Sequence, residues 1–175
     1  MPELAEVEFY RKQWNCGLGQ AIGSVHLHSN KRVFRGTDAR LIVTALTGSK
    51  LLRSETHGKQ MLFQFSGGGW LGIHLGMTGK LRVEKFSKGR KFAPAKHDHL
   101  VLLQKQQALV FSDPRQFGRI LFHVGEKSPT WWTNLPPQLL SDQFTIQYLS
   151  EFLRRHGKAP IKAVLLMQEA FPGIG

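Results

Sequence analysis

The chain has 175 residues, and 24 lysines and arginines against 12 aspartates and glutamates give a formal net charge of +12. With 41% apolar residues it can bury a core, which argues against a disordered chain. No apolar run approaches the roughly 18 residues that span a bilayer, and the first residues are acidic where a signal peptide would be basic. We therefore expect a cytoplasmic protein with no membrane partner. A single cysteine, Cys16, excludes an internal disulfide and a multi-cysteine zinc site.

The charge is unevenly distributed along the chain. Residues 9–125 hold 19 basic residues and five acidic ones, whereas the first eight residues hold three acids and no base. Lysines and arginines at this density predict a surface that binds a polyanion, by neutralising phosphates and releasing their counterions. The alternative is a generically basic soluble protein.

A helix is predicted over residues 3 to about 18, because Pro2 stands where helices start and Gly17 and Gly19 follow it. Its apolar residues recur at three- and four-residue spacing: Leu4, Val7, Tyr10 (or Arg11), Trp14 and Leu18. A second, short helix is predicted at roughly Asp38–Leu46.

The rest of the first 125 residues alternates apolar and polar positions, with glycines between the runs. This pattern predicts short strands in a sandwich or barrel. The predicted strands are residues 22–27, 51–56, 61–65, 71–75, 81–85, 99–103, 108–111 and 120–124.

Helical spacing returns after a segment rich in proline and tryptophan. We expect residues 126–140 to be a linker between a sandwich domain, 1–125, and a partial helical domain, 141–175. Ser141 is the predicted cap of a helix that Gly157 ends, and Pro160 precedes another. The candidate apolar residues of these two helices are Phe144, Ile146, Tyr148, Leu149, Phe152 and Leu153, then Ile161, Val164, Leu165 and Phe171.

The N-terminus is the first candidate for chemistry. Removal of Met1 would leave Pro2 with a secondary amine, and an α-amino group has a pKa of about 7.7–8.0, so it is partly unprotonated near neutral pH. Such an amine can attack an aldehyde carbon to give a permanently cationic iminium ion. Glu3 and Glu6 stand beside it as candidate general acid and base. Alternatively, the glutamates merely complement the helix dipole.

Three further segments have the composition of a phosphate or base contact. Lys59 and His74 are expected at strand ends beside glycine turns, and Met77 lies on such a turn, either as a core residue or as a wedge between bases. Arg115 and Phe117 would point to one side of an extended segment, although a plain turn with a buried Phe117 fits equally.

Two further segments, one basic and one containing histidines, also have a purely structural interpretation. Lys80–Lys96 contains seven basic residues and one acid, which suits either phosphate contacts or a solvated hairpin. We interpret His97 and His99 as structural rather than metal ligands, because no further ligand cluster accompanies them.

Taken in this order, the segments resemble the formamidopyrimidine-DNA glycosylase family, the bifunctional enzymes that excise oxidised purines. The opening resembles the family's Met-Pro-Glu-Leu-Pro-Glu-Val-Glu, with Ala5 in place of the second proline. His57-Gly58-Lys59, His74 to Gly79, Lys96 to His99 and Asp113 to Gly118 match further family segments. The resemblance runs the length of the chain.

The resemblance implies a catalytic role for four residues. Pro2 would be the nucleophile at C1′ of the damaged nucleotide, and Glu3 the general acid and base for sugar opening and elimination. Glu6 would support the site. Lys59 matches a family lysine near the lesion and its phosphate.

It also implies a DNA-binding role for five residues. His74 matches a phosphate contact, and Lys162 matches another lysine of the DNA site. Met77, Arg115 and Phe117 match the trio that fills the gap left by the flipped nucleotide, with Arg115 facing the orphaned cytosine. The expected partner is duplex DNA with an oxidised base (8-oxoguanine or a formamidopyrimidine) or an abasic site, bound by a monomer.

The implied fold is α+β: an N-terminal helix and an antiparallel β-sandwich, then the first helices of an incomplete helix-two-turn-helix domain. The family continues beyond this sequence with a phosphate-binding asparagine and a finger that often binds zinc, so no metal or cofactor is expected in this chain. Two other hypotheses remain: a non-catalytic DNA-binding module of the same fold, and a basic sandwich that binds another polyanion.

Overall fold

The computed structural model describes residues 2–28, 30–87 and 92–175, so Met1 and residues 88–91 of the basic Lys80–Lys96 segment lie outside the described residues. The described α-helices are α1 (Leu4–Gln13), α2 (Ala39–Leu46), α3 (Thr130–Thr133), α4 (Ile146–Arg155) and α5 (Ile161–Leu165). The described strands are β1 (Ser24–Leu27), β2 (Leu51–His57), β3 (Gln60–Phe65), β4 (Gly69–His74), β5 (Lys80–Lys85), β6 (Asp98–Leu103), β7 (Gln107–Ser112) and β8 (Arg119–Val124).

The strands form two antiparallel four-stranded sheets, in the orders β1-β6-β7-β5 and β2-β3-β4-β8. Alternate side chains of both sheets meet in one core, which includes Phe63, Phe65, Leu71 and Phe111, all at most 1% exposed. The α+β sandwich with an N-terminal helix is therefore confirmed. The turn between β4 and β5, which contains Met77, joins the two sheets, because β5 pairs with β7 and not with β4.

Helix α1 contacts both sheets, through β5 on one side and β2 and β3 on the other. Its inward residues are Val7 and Trp14, and the Trp14 ring lies 4.8 Å from that of Phe63. Leu4 and Leu18, which were predicted on the same apolar face, are 45% and 39% exposed. The helix tightens to a 3-10 turn at Trp14–Gly17, and this turn ends the α-helical spacing before Leu18.

The segment 126–140 contains helix α3 and packs on the sandwich. The indole of Trp131 covers Gly72, where an added Cβ would lie 2.7 Å from Trp131 Cζ3. Nε2 of His57 lies 2.5 Å from the Pro136 carbonyl oxygen, and its ring meets that of Trp132 edge to face. The proline and tryptophan residues of the expected linker therefore hold it against β2 and β4.

The residues after this segment form a small apolar cluster of their own, built on Phe152, Val164, Ala170 and Phe171. The predicted Ser141 cap was wrong, because Thr145 is the N-cap of α4 and its Oγ1 accepts from the Tyr148 amide at 3.1 Å. The Ser141 hydroxyl instead donates to the Gln138 carbonyl.

Three residues that were predicted on the apolar faces of α4 and α5 lie at the surface instead. Ile146, predicted on the apolar face, is 85% exposed, and Ile161 and Leu165 of α5 are 62% and 40% exposed.

Candidate active site and nucleic-acid interface

Pro2 directly precedes α1, and two carboxylates are fixed next to it by the start of that helix. Glu3 is the N-cap, and its backbone amide donates to Glu6 Oε2 at 3.0 Å, in a reciprocal capping box. The box satisfies amides that the first turn of a helix leaves unpaired. Glu6 therefore orients the chain end, while the Glu3 side chain, 48% exposed, remains accessible.

Lys59 is brought to the same place by the turn between β2 and β3. Gly58 adopts φ +55° there, a left-handed conformation that glycine accepts without strain. The Lys59 side chain is buried, and its Nζ lies 3.2 Å from Glu3 Oε2 and donates to the Ile174 carbonyl at 3.3 Å. Lys59, distant in sequence, thus joins Pro2, Glu3 and Glu6 in one group.

The segment 172–175 closes over this group, a contact that the sequence did not indicate. A Cβ at Gly58 would lie 2.9 Å from Pro172 Cβ, and one at Gly175 would lie 2.5 Å from Lys59 Nζ. Close approach of the Pro172 and Gly173 backbone therefore requires glycine at position 58, whereas Gly175 meets only the movable ends of the Glu3 and Lys59 side chains. The alternating glycines of Gly173-Ile174-Gly175 are the one signal that could have indicated it.

Pro2 also lines a cavity of about 150 Å³. Met77 and Glu6 line it with Pro2, as do Tyr10 and Lys80. Met77 is 49% exposed, so it is a surface residue rather than a core residue. Tyr10 was predicted only as a helix-face residue, and its place beside Pro2 could not be read from spacing.

Asp113 connects the Met77 turn to the loop that follows β7. It is fully buried; its Oδ1 accepts from Thr78 Oγ1 at 2.6 Å and from the Arg115 amide at 3.2 Å, and its Oδ2 accepts from the Gly118 amide at 2.7 Å. A buried carboxylate needs such donors to offset its lost hydration. The two turns are therefore held as one unit.

Arg115 and Phe117 do point to one side, but the backbone between them is a turn and not an extended segment. The Arg115 guanidinium lies 4.7 Å from the centroid of the Phe117 ring, and Phe117 is 39% exposed. Between them Gln116 has φ +56°, a conformation uncommon for residues other than glycine. Its Oε1 accepts from the Arg32 amide at 3.1 Å, which helps to hold this backbone. Strain of this kind concentrates at functional sites.

His74 ends β4 and is largely buried. Its Nδ1 accepts from the Gly76 amide at 3.1 Å, so the neutral ring has its proton on Nε2. Burial lowers the pKa of His74, and the nearby charges of Lys59 and Arg35 lower it further. The ring is therefore a neutral N–H donor at physiological pH.

His99 is buried with its Nε2 2.8 Å from the Asp113 carbonyl oxygen, and burial lowers its pKa. It thus supports the loop after β7. Within residues 2–28, 30–87 and 92–175, no group of three or more His, Cys, Asp or Glu side chains is placed to hold a metal ion.

Lys162 stands apart from these residues. It is exposed in the single short turn of α5, and no hydrogen bond or ion pair of its side chain occurs in the described part of the chain. None of the helices described is long and apolar enough to cross a membrane.

Comparison with known proteins identifies the family. The profile of the formamidopyrimidine-DNA glycosylase N-terminal domain matches residues 1–120. The formamidopyrimidine-DNA glycosylases of Solibacter usitatus and Dechloromonas aromatica are each 36% identical to this chain, over 175 and 185 aligned residues. These alignments cover 100% of this chain but 61% and 64% of the relatives, so the chain spans less than two thirds of their length.

Solved structures agree. The MutM (Fpg) protein of Thermus thermophilus is 32% identical with a TM-score of 0.74, and the match covers 99% of this chain and 60% of that one. The Lactococcus lactis formamidopyrimidine-DNA glycosylase, bound non-covalently to DNA containing an abasic site, is 26% identical with a TM-score of 0.82, over 99% and 65%. This chain belongs to the formamidopyrimidine-DNA glycosylase family.

Proposed function

We propose that this chain contains the catalytic part of a bifunctional DNA glycosylase and AP lyase, which excises oxidised purines from duplex DNA through the amine of Pro2. The observation that supports this most is that Pro2 adjoins the Glu3 carboxylate, which pairs with Lys59, and also lines one cavity with Met77. An amine thus lies beside a carboxylate and near an exposed side chain that can enter a base stack.

The first step is displacement of the damaged base. With Met1 removed, the Pro2 nitrogen attacks C1′ with its lone pair, and the bond from C1′ to the base breaks with its electron pair leaving on the base, which takes up a proton. The Glu3 carboxylate takes up the proton that the attacking nitrogen loses. It then donates this proton to O4′ as the C1′–O4′ bond breaks, and the nitrogen lone pair forms the C1′ iminium ion.

The second step is strand cleavage. The Glu3 carboxylate removes a proton from C2′, whose electron pair flows toward the iminium ion, the electron sink. The electron pair then returns from the nitrogen toward C2′. This forms the C2′=C3′ bond and expels the 3′ phosphate, which leaves with the electron pair of the C3′–O bond. Water then hydrolyses the iminium ion and frees Pro2. Lys59 Nζ, 3.2 Å from Glu3 Oε2, would bind the phosphate of the flipped nucleotide in exchange for its contact with the Ile174 carbonyl.

Extrusion of the nucleotide is required, because neither C1′ nor the lesion can be reached within the stack. Met77, Arg115 and Phe117 would occupy the vacated space, with the Arg115 guanidinium on the base opposite. His74 would donate a hydrogen bond from Nε2 to a backbone phosphate, and Lys162 would add a contact from α5. Each of these five residues has an exposed or donor group free for DNA.

Borohydride trapping tests the proposal. Reduction of the iminium ion should leave a covalent adduct between the chain and an abasic or 8-oxoguanine duplex, and peptide mapping by mass spectrometry should place it on Pro2. The matched control is the same chain with a residue retained before Pro2, which blocks the amine and should give no adduct.

An adduct on a lysine, or none from the chain that begins at Pro2, would contradict the proposal. If Met1 is retained in the natural protein and the chain still binds duplex, the non-catalytic DNA-binding module becomes the better account.

A further inference from the structure

A second cluster of cations lies beside the candidate active site, on the face of β4 and β8 that is turned away from the sandwich core. The strand register places Gln60, His74 and Arg119 side by side across β3, β4 and β8. Next to them, Gly72 and Leu121 form the floor of a cavity of about 210 Å³. The Trp131 indole packs over Gly72 at one edge of this cavity.

Arg35 forms one wall of the cavity and is held there firmly. Its Nη1 donates to the carbonyls of Gly118, at 2.7 Å, and Arg32, at 3.1 Å. Burial lowers the pKa of Arg35, and the charges of Arg119 and Arg32 lower it further. The guanidinium is thus fixed close to other cations without a carboxylate to offset them.

None of the six residues that line the cavity is acidic. The ion pairs found in the described ranges involve other cations, so Arg35 and Arg119 have no carboxylate partner there. Two guanidinium groups and a neutral imidazole whose Nε2 donates, gathered around an open space, favour a tetrahedral oxyanion. Planar guanidinium forks match the geometry of phosphate oxygens.

We propose that Arg35 and Arg119, with His74, bind a phosphodiester of the duplex next to the phosphate assigned to Lys59. The inference depends on the proposed function only in taking duplex DNA as the source of the anion. Lys59 directly precedes Gln60, which lies opposite His74 in the register of β3 and β4, so the two phosphates belong to neighbouring positions of the backbone. The chain's net charge of +12 suits a polyanion better than a lone ion.

The test is the salt dependence of duplex binding. Arg119→Gln removes one cation whose side chain makes no hydrogen bond to the described residues, so folding should be unaffected. We expect affinity for an undamaged duplex to fall about tenfold, the effect of one charge-assisted hydrogen bond. The slope of log K against log salt should become shallower by about 0.9. Arg119→Lys should restore the slope.

Arg40→Gln is the matched control, because Arg40 is an exposed arginine of α2 that lies away from the cavity lining; it should bind as the natural chain does. Equal slopes for Arg119→Gln and Arg40→Gln would overturn the proposal, as would absence of duplex binding. A thermal shift with inorganic phosphate, present in the natural chain and lost in Arg119→Gln, combined with unchanged duplex binding would also overturn it, because the site would then bind free phosphate.

Trapping of the natural chain on an abasic duplex separates this inference from the proposed function. A Pro2 adduct with no change of slope in Arg119→Gln rejects the phosphodiester site alone. A shallower slope in the variant without any adduct from the natural chain supports the site and rejects the chemistry.

Discussion

The sandwich and the helical residues after it bury their apolar side chains to different degrees. Large residues such as Phe63 and Leu71 are fully buried between the sheets, whereas the helical part has four buried apolar residues and leaves Ile146 85% and Leu166 54% exposed. A core that is closed on all sides can hold side chains at fixed distances. The difference explains why the candidate catalytic side chains lie on the sandwich, while the helical part reaches them mainly through backbone at 172–175.

The largest expected effect tests whether the chemistry belongs to the sandwich side. Glu3→Gln removes the proposed general acid and base but keeps the size of the side chain. We expect the rate of adduct formation to fall roughly 10²- to 10⁴-fold, with duplex affinity mostly retained, in single-turnover trapping and anisotropy measurements. A parallel loss of binding and excision would contradict this separation of roles.

The second prediction compares the two cores directly. Phe63→Ala should lower the free energy of unfolding by about 4 kcal/mol, since the closed core cannot collapse around the cavity. Phe152→Ala should cost roughly half as much, because the small cluster around it can relax. Urea unfolding of both variants measures this difference. Equal costs would show that the helical part is as tightly packed as the sandwich.

The third prediction concerns acid, and its effect should fall on the sandwich. Burial lowers the pKa of His74 and His99 below the usual 6.5. At pH values between 6.5 and these lower folded pKa values, the unfolded chain binds more protons than the folded chain. The stability contributed by keeping the two histidines neutral is therefore fully present above pH 6.5 and is lost as the pH falls. Urea midpoints should therefore decrease from about pH 7.5 to pH 5.

His99→Gln should make this pH dependence shallower, because it removes one of the titrating groups while an amide can still donate to the Asp113 carbonyl. A stability that rises on acidification would contradict the sign.

The smallest effect on stability is expected at Met77. Met77→Ala should change the free energy of unfolding by less than about 0.5 kcal/mol, because the side chain is half exposed, yet it should weaken binding to lesion duplex. Leu52→Ala is the matched control, since Leu52 is 50% exposed on β2 and should leave binding unchanged. Undiminished lesion binding and excision by Met77→Ala would contradict the proposal that Met77 inserts between bases.

The strands were predictable because alternation and glycine turns are local signals, and each predicted run coincides with an observed strand. The start of α4 was missed because Ser141 and Thr145 are equally good caps, and only the Tyr148 amide distinguishes them. The sequence left the segment from Arg115 to Phe117 open between an extended segment and a turn, because the bend depends on the buried Asp113 carboxylate. These last cases are decided by tertiary contacts rather than by local pattern.

The candidate site was predictable in its members and not in its assembly. Pro2, Glu3 and Glu6 are neighbours in sequence, so their proximity was evident. The Ile174 carbonyl accepts from Lys59, and the sheet register sets Arg119 beside His74. Both contacts follow from pairings between distant segments, which spacing along one sequence does not encode.

The Asp113 carboxylate also has a consequence for the kinetics of lesion search. Thr78 and the Arg115 and Gly118 amides all donate to it, so the turns that hold Met77 and Phe117 are already ordered before any DNA is bound. In the proposed function, the conformational entropy of ordering the two turns that hold Met77, Arg115 and Phe117 is therefore lost during folding and not at insertion. A preorganised group of this kind can probe successive base pairs without refolding at each one, and its sampling rate is then set by the opening of the duplex.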